Sequence, residues 1–489
     1  MARRASLGLA LLIGAIAGGG AETAIAQSRA CEPTQAARDG WTASFVAGCR
    51  DRGGRFAGGS QIIHLVPHKG SLYAANGYWM DNHNVWYGGS NPNFGWSQVL
   101  RLSAPSEPWS VDFELGPRHL RTELLKSVTV TQDSSGRPLP APETLLIAAT
   151  YDGSGAGGVG LFVRNDQTGA WTRSNIISGN TGRNGEDNSV RAAAVYRDRV
   201  TGREQLFVSV GVLGLFTGQY DATHHTFVWS SAPEFGPTAT RTLAIVETND
   251  GLFFAAGAQI FRRVDGPSPR WMPVADLSGE VDASTNRATF QSIGGIRGLS
   301  AIQGPVAGKQ SLIFVWNRGS NSQGCIFRLD PQPTGSYTRL IETCLSELIS
   351  RHLDGARVHY AFGAYSEFTP LTDPATGTPW HLIGLETFLT GAASLPLTAR
   401  NQRTANGGFY AGALYAMRDP LAHWRIGDAN GRYRPGQPEL VAIYTAALSP
   451  FAAAARRTIY LGGYDPNHHP STDTGWVYAT DLARLFATP

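Results

Sequence analysis

The sequence predicts an all-β protein, a seven-bladed β-propeller of four-stranded antiparallel blades. Residues 241–276 carry the clearest sign, because short apolar stretches alternate there with turn sequences. RTLAIVE turns at residues 249–251 (Asn-Asp-Gly) into LFFAAG and QIFRRV, and residues 265–267 (Asp-Gly-Pro) lead into RWMPV. Such turn signals between apolar stretches are typical of β-hairpins. A repeat of about 35 residues with this content has the size of one propeller blade.

The same pattern recurs along the chain, and the predicted first strands are, in order, SQIIHLVPH, ELLKSVTVTQD, VRAAAVYRD, RTLAIVE, IRGLSAIQ, HYAFGAYSEF and ELVAIYTAAL. Each second strand is strongly apolar, as expected for a strand covered on both faces. An aromatic residue that could cover the outer edge opens several fourth strands: Trp109, Trp171, Trp271, Tyr337 and Trp424. The seventh blade lacks a fourth strand. Residues 41–57 could supply it and remove an exposed edge; a ring of six blades is the alternative.

The N-terminus has the features of a secretion signal. Arg3 and Arg4 precede an apolar segment at residues 7–18, and residues 24–26 (Ala-Ile-Ala) fit a cleavage site. The apolar segment is too short to cross a bilayer comfortably. We therefore expect a signal peptide at 1–26, a lead-in at 27–57, a propeller at 58–489, a periplasmic or extracellular location in a bacterium, and no membrane insertion.

Composition narrows the partners. Charged residues make up 16% of the chain and the formal net charge is +3, which is too balanced for a nucleic-acid-binding protein. We expect a monomer that binds an anionic small molecule or polysaccharide and no nucleic acid. The cofactor is left open, with a structural divalent cation as the one candidate.

The chain has four cysteines, which in an exported protein predict two disulfides. We expect the pairs Cys31–Cys49 and Cys325–Cys344. The second pair follows from the blade pattern, because antiparallel pairing of CIFRL with TRLIETC sets the first residue of one strand beside the last of the other. A zinc site is not favoured, since no CxxC motif or His at ligand spacing accompanies these cysteines.

Two short segments resemble fragments of the Asp box of sialidase propellers: residues 166–171 (DQTGAW) and residues 471–476 (STDTGW). Neither is complete, and neither lies beside a sialidase-type arginine triad. The chain thus resembles secreted seven-bladed propellers in general, and the resemblance implies no catalytic residues.

Arginines lie at or just before the first strand in four predicted blades: Arg191, Arg241, Arg297 and Arg357. Arg121 is close to the corresponding place in the second blade. If these residues converge at the axis they form a basic ring, and guanidinium groups bind carboxylate, sulfate or phosphate through paired hydrogen bonds. The alternative is that each arginine pairs with an acid of an adjacent blade, for example Glu186, Asp187 or Glu280.

Candidate catalytic residues are His64, His359, Tyr360 and Tyr365, with Glu367 close to the last three in sequence. A Tyr or His near an Arg could catalyse β-elimination on an acidic sugar, because Arg neutralises the carboxylate while Tyr or His moves the proton. The alternative is that these residues belong to the core or to turns. Trp86 lies in a long loop, residues 80–96, that should reach the channel mouth, and is a candidate ligand-binding residue.

The sequence therefore favours an exported propeller that binds or processes an anionic ligand at its axial face; if it is an enzyme, a lyase or hydrolase of acidic polysaccharides is the favoured activity. A second hypothesis is a non-catalytic binding or scaffold propeller of the cell envelope, since fold alone does not imply chemistry. A third is a metal-dependent small-molecule hydrolase, for which Asp187, Asn321 and Glu367 are the candidate ligands.

Overall fold

The structure is a computed structural model that describes residues 29–32, 34–38, 40–79, 81, 95–116, 119–152, 157–183, 185–280, 294–319, 323–363, 367–390, 409–410, 412–430, 440–452, 457–465 and 473–487. The described residues form an all-β fold with short helical segments. The predicted signal peptide lies outside them. Neither described α-helix has the length or apolar character needed to span a bilayer.

The N-terminal segment contributes short strands: β1 (Arg29–Ala30), β2 (Thr34–Arg38), β3 (Trp41–Val46), β4 (Cys49–Arg50) and β5 (Phe56–Ala57). Strand β4 pairs in parallel with β1 and antiparallel with β5. The rest of the described chain forms successive antiparallel units, in which neighbouring strands follow one another in sequence.

The first three units have the following strands. Unit 1 consists of β6 (Gln61–His68), β7 (Ser71–Gly77), β8 (Gln98–Leu102) and β9 (Ser110–Glu114). Unit 2 consists of β10 (His119–Gln132), β11 (Pro138–Asp152), β12 (Val159–Arg164) and β13 (Trp171–Ile177). Unit 3, which a 3₁₀ turn at Gly185–Asn188 precedes, consists of β14 (Val190–Arg197), β15 (Glu204–Val210), β16 (Gly214–Asp221) and β17 (Thr226–Trp229).

The next two units repeat the plan. Unit 4 consists of β18 (Thr242–Thr248), β19 (Gly251–Ala256), β20 (Gln259–Val264) and β21 (Arg270–Asp276). Unit 5 consists of β22 (Gly295–Gln303), β23 (Gln310–Asn317), β24 (Cys325–Pro331) and β25 (Tyr337–Cys344), and helix α1 (Leu345–His352) follows it.

The last two units carry additions. Unit 6 consists of β26 (Arg357–Gly363), β28 (Pro379–Thr390), β30 (Leu414–Arg418) and β31 (Trp424–Asp428), while β27 (Thr369–Thr372) and β29 (Phe409–Tyr410) pair with β28. Unit 7 consists of β32 (Ile443–Leu448), β33 (Thr458–Gly463) and β34 (Trp476–Asp481), followed by helix α2 (Ala483–Phe486).

A buried apolar cluster lies between each unit and the next, and another lies between unit 7 and unit 1. Pairs that represent these clusters, in ring order from the contact of units 1 and 2, are Tyr73 with Leu146, Leu161 with Val208, Phe207 with Phe254, Phe253 with Phe314, Val315 with Ile383, Leu382 with Leu461, and Val477 with Leu72. Sheets packed face to face in this succession form a β-propeller.

The second strands explain why the units stack. Neighbouring residues of a strand point to opposite faces, so Phe253 packs against unit 5 while Phe254 packs against unit 3. Every residue of β19 is buried as a result. The apolar second strands that the sequence predicted are therefore covered on both faces.

The N-terminal lead-in closes the ring. Strand β3 pairs antiparallel with β34, with Val46 opposite Trp476 and Thr42 opposite Ala479, and so becomes the fourth strand of unit 7. Trp41 opens this strand and is buried against Tyr415 and other residues of unit 6. The prediction that the lead-in supplies an outer strand is confirmed.

The aromatic residues that open the fourth strands do more than cover an edge. The Nε1–H groups of Trp171, Trp271 and Trp424 donate to acids of the preceding unit. The acids are Asp112, Glu234 and Glu342, at 2.8, 3.0 and 3.0 Å. Each acid also accepts from an arginine on the third strand of the same unit as its tryptophan: Arg164, Arg263 and Arg418. We call each set a Trp–Arg–acid clasp.

At other interfaces a tryptophan donates to a neutral acceptor, and Trp229 does so from the end of its strand. Trp229 Nε1 donates to the Ser174 hydroxyl at 2.7 Å, and Trp109 Nε1 donates to the Ser44 hydroxyl at 2.9 Å. Because Ser44 lies on β3, the second bond joins unit 1 to the strand that closes the ring.

Both predicted disulfides are present, Cys31–Cys49 and Cys325–Cys344. Cys325 and Cys344 lie directly opposite each other in the β24–β25 ladder, which confirms the argument from strand pairing.

The sequence pattern did not predict the two described α-helices. The apolar pattern of residues 475–486 (GWVYATDLARLF) predicts one strand, but the strand ends at Asp481 and the chain forms α2 from Ala483 to Phe486. Helix α1 was not anticipated either, although its buried residues Leu345, Leu348 and Ile349 have helical spacing.

We predict that replacing Trp271 by Phe lowers the free energy of unfolding by about 2 kcal/mol, because the charged acceptor Glu234 loses a donor. Trp229→Phe removes the same ring volume but leaves only a serine hydroxyl without its donor, so its cost should be smaller by about 1 kcal/mol. Urea denaturation of both variants tests this. An equal loss in the two variants would show that ring volume, and not the acceptor's charge, sets the cost.

Candidate functional site

An irregularity in the strand pairing recurs in every first strand and turns side chains toward the ring axis. The pairing register shifts between Thr122 and Leu124, and residue 123 is left out of the ladder. The residues passed over in the other first strands are Ile63, Arg191 with Ala192, Leu243, Gly298 with Leu299, His359 and Tyr444. A β-bulge re-aims side chains in this way. We call these positions the axial bulges.

A buried carboxylate at one axial bulge holds two arginines. Nε and Nη2 of Arg121 donate to Oε1 of Glu123 at 2.7 and 2.5 Å, and Nη2 of Arg191 donates to the same oxygen at 3.3 Å. All three residues are buried. We call this set the Glu123 centre. Its two guanidinium groups come from units 2 and 3, so it joins neighbouring units at the axis.

Arg297 of unit 5 reaches the same place. Together with Glu123, Arg191 and Leu243 it lines a space of about 10 Å³, which is room for about one water molecule. Its guanidinium carbon lies 5.1 Å from the centre of the Phe362 ring. We call this constriction the axial waist.

A second buried carboxylate, Glu386, lies in unit 6. The hydroxyl of Tyr360 donates to its Oε1 at 3.1 Å, and that of Tyr444 donates to its Oε2 at 2.5 Å. Burial raises the pKa of Glu386, while hydrogen bonds from Tyr444, Tyr360 and Tyr464 and the charge of Arg297 act in the opposite direction. We call this set the Glu386 centre. Burial outweighs these opposing effects, so the pKa of Glu386 is raised above its ordinary value.

A larger space, which we call the axial cavity, lies beyond the waist toward the ends of the first strands. It has a volume of about 230 Å³ and is lined by residues from all of the units. Its polar groups include His64, Arg191 and an ion pair of Lys126 with Glu367 at 2.6 Å. Arg191 lines both the waist and this cavity.

His64 is fixed at the cavity wall by a bond to the neighbouring unit. Its Nε2 lies 2.8 Å from the backbone oxygen of Glu123. A carbonyl oxygen only accepts, so Nε2 carries the hydrogen and Nδ1 of the neutral ring is an acceptor. Burial lowers the pKa of His64, which favours the neutral ring.

The structure brings some predicted site residues together and separates others. Arg191 and Arg297 meet at the waist, and Arg241 is buried just before β18, two residues ahead of Leu243. Arg357 is exposed and lies instead in a surface depression beside Glu347 and Arg351 of α1. Arg357 thus lies beside helix α1, and it does not line the waist with Arg191 and Arg297.

The candidate catalytic residues also separate. Tyr360 belongs to the Glu386 centre, whereas His359 is exposed, with its ring 5.7 Å from that of Phe388. Sequence proximity to Glu367 was misleading, because Glu367 follows the far end of β26 and lies in the axial cavity near His64. Tyr365 and Trp86 lie outside the described residues.

The acids proposed as partners for the arginine ring pair elsewhere. Asp187 lies 3.5 Å from Arg183, and Glu280 pairs with Arg339. The side chain of Glu186 is not among those described. The carboxylate that holds Arg121 and Arg191 is Glu123 instead, two residues from Arg121 on the same strand.

Sequence reasoning missed Glu123, Glu386, Tyr444 and Tyr464. Glu123 had a usable signal, since a charged pair at positions i and i+2 of a first strand shares one face. Glu386 had a weaker one, a single acid in an otherwise apolar second strand. Within the part of the chain that the structure describes, no group of three His, Cys, Asp or Glu residues is arranged to hold a metal ion.

No family model matches this sequence, and no curated protein matches it. Solved structures match remotely. The endo-arabinase from Bacteroides thetaiotaomicron has 10% identity and a TM-score of 0.31 over 78% of this chain and 96% of that chain. A Trypanosoma rangeli sialidase has 10% identity and a TM-score of 0.37 over 76% and 56%. An α-L-arabinofuranosidase from Clostridium thermocellum has 14% identity and a TM-score of 0.28 over 57% and 93%. Similarity at this level assigns no activity to this chain.

We predict that Glu123→Gln lowers the free energy of unfolding by about 3–5 kcal/mol, because Arg121 and Arg191 would face each other without the charge between them. Thermal and urea unfolding measure the loss. Glu107→Gln is the control, since its pair with Arg52 is exposed and should be worth about 0–1 kcal/mol. A similarly small effect at position 123 would contradict a charge-stabilised centre.

Proposed function

We propose that this chain is an exported, seven-bladed β-propeller that binds an anionic ligand, an acidic saccharide, on its axis at the end where the first strands begin. Seven blades are supported by the apolar clusters that follow one another around the ring, including the one between units 7 and 1. We retain residues 1–26 as a signal peptide and 27–57 as the lead-in. Two disulfides support export, because disulfides persist in oxidising compartments.

The observation that carries the proposal is the meeting of arginines from different units at the axial waist. Arg121 and Arg191 already bind one carboxylate, that of Glu123, and Arg297 lines the same space. These arginines would bind a ligand's carboxylate in the same way as they bind that of Glu123. A guanidinium presents several donors in a fixed fork, which suits carboxylate, sulfate and phosphate groups.

An aromatic surface next to this centre favours a saccharide. The guanidinium carbon of Arg121 lies 5.1 Å from the centre of the Trp79 ring, and Trp79 is half-buried. An indole that is partly open beside charged donors can pack against the apolar face of a sugar ring while the guanidinium groups bind its carboxylate. Binding alone needs no catalytic group, so the same geometry also suits a binding protein that is not an enzyme.

We predict that Arg297→Met weakens binding of polygalacturonate about tenfold to a hundredfold, because a charge-assisted hydrogen bond is worth about 1.5–3 kcal/mol. Titration calorimetry measures this, with neutral dextran as the comparison ligand. Arg425→Met is the matched control, since Arg425 also stacks on an aromatic ring, 4.7 Å from the centre of Trp380, but on an outer strand. Equal affinity for dextran, or unchanged affinity of Arg297→Met, would contradict the proposal.

The Glu386 centre favours β-elimination as a second candidate function. The hydroxyl of Tyr360 donates a hydrogen bond to Glu386, and this carboxylate is therefore placed to accept the proton of the phenol. In an elimination the tyrosine oxygen takes the proton from the carbon next to the uronate carboxylate. The bond to the leaving oxygen then breaks as the carbon–carbon double bond forms, and the phenol of Tyr360 passes the proton it has just taken to the leaving oxygen.

We predict that any release of unsaturated uronates from polygalacturonate or alginate falls at least a hundredfold in Tyr360→Phe. Ultraviolet absorbance of the unsaturated product and a reducing-end assay measure elimination and hydrolysis separately. Tyr220→Phe is the control, because its hydroxyl also donates to a glutamate, Glu143, at 2.8 Å but far from the axis. If the wild-type protein releases neither product, the chain is a binding protein and elimination is excluded.

A further inference from the structure

The surface depression beside helix α1 opens on the face of the ring where the first strands begin, since Arg357 is the first residue of β26. We call it the Arg357 depression. Its volume of about 610 Å³ lies within the usual range of ligand-binding clefts, roughly 300–1,000 Å³. The polar side chains of its lining are those of Gln323, Ser346, Glu347, Ser350, Arg351 and Arg357.

The arginines of the Arg357 depression are available to a ligand. Within the part of the chain that the structure describes, Arg357 has no acid partner. Arg351 donates only its Nε–H, to the backbone oxygen of Glu347 at 3.3 Å, and neither Glu347 nor the nearby Asp354 enters a described ion pair. The lining therefore carries two guanidinium groups against one carboxylate. Several exposed arginines elsewhere lie beside an acid instead: Arg52 beside Glu107, Arg137 beside Asp133, Arg197 beside Glu204 and Arg339 beside Glu280.

The chemistry of the lining matches a uronate. Guanidinium groups bind a carboxylate through paired hydrogen bonds. The hydroxyl groups of Ser346 and Ser350 donate and accept, and the carboxylate of Glu347 accepts, so these side chains suit the hydroxyl groups of a sugar. A bare inorganic anion would use the arginines alone and would be repelled by Glu347.

A row of ring contacts joins the axial waist to this depression. The guanidinium carbon of Arg297 lies 5.1 Å from the centre of the Phe362 ring. The ring centres of Phe362 and Tyr360 are 5.2 Å apart, those of Tyr360 and Phe388 are 5.5 Å apart, and those of Phe388 and His359 are 5.7 Å apart. His359 is exposed at the end of this row, so the row leads from the waist to the surface.

The last step is made along β26. His359 and Arg357 are both exposed, with the buried Val358 between them. Residues two apart in a strand lie on one side of it, separated by about 7 Å. The Arg357 depression is therefore next to the surface end of the row that begins at the waist.

We propose that the Arg357 depression is an outer subsite of the anion site, which makes the ligand an acidic oligosaccharide with one uronate at the axial waist and a later uronate at Arg357. This inference rests on the proposed function, because the waist supplies the first contact. A single uronate has one carboxylate and cannot occupy both places. Affinity therefore depends on the length of the ligand.

The probes are D-galacturonate and oligogalacturonates of increasing length, titrated into the full chain by calorimetry in about 0.15 M salt, where charges more than about 8 Å apart are largely screened. We expect affinity to rise once the oligomer is long enough to reach both places. Arg357→Met should then weaken the long oligomers about tenfold and leave D-galacturonate unchanged, because one charge-assisted contact is lost. Arg297→Met should weaken both.

The matched control is Arg137→Met, which removes another exposed guanidinium, in the turn between β10 and β11, and should leave every affinity unchanged. Thermal unfolding verifies that each variant is folded. The inference is overturned if long oligomers bind no more tightly than D-galacturonate, if Arg357→Met binds them like the wild type, or if Arg137→Met weakens them equally. The proposed function survives these results as long as Arg297→Met weakens binding. If Arg297→Met changes no affinity, or if no uronate binds, both fail.

Discussion

The structure depends on the burial of each second strand between two neighbours. Phe253 and Phe254 are adjacent in β19 yet belong to different apolar clusters, one shared with unit 5 and one with unit 3. A unit by itself would expose both faces of such a strand to water, so each unit is stable only between two others. A chain of such units has two unprotected ends. The apolar cluster between units 7 and 1 covers both ends, and pairing of β3 with β34 fastens the N-terminal segment to the last unit.

The outer strands are fastened by directional contacts and not by apolar area alone. In the Trp–Arg–acid clasps, Asp112, Glu234 and Glu342 each receive an indole hydrogen and a guanidinium group from the following unit. A buried carboxylate is costly unless its lone pairs are satisfied, and here the following unit satisfies them. The clasps therefore fix the position of one unit against the next, which non-directional packing does not.

The axis is arranged by bulges. The axial bulges turn one or two residues of each first strand toward the axis, and the identity of those residues differs from unit to unit. They bring Glu123 to two arginines and place Tyr444 on Glu386, while Leu243 gives apolar surface to the waist. Arg191 and Arg297 at the waist and the Lys126–Glu367 pair in the cavity give the two ends of the axis different chemistry.

The sequence by itself determined the strands, the turns, both disulfides and the strand that closes the ring, because these follow from local turn chemistry and from alternation along one strand. It also placed Arg191 and Arg297 at the start of first strands, where they meet. Only the tertiary structure decided that Glu123 is the partner of Arg121 and Arg191, that Arg357 lies apart and that Glu367 belongs with His64. Glu123 and Arg191 belong to different units, as do Glu367 and His64. Their approach depends on bulges, because a shift of one residue in register moves a side chain to the other face of the strand, and the hydrophobic pattern does not show such a shift.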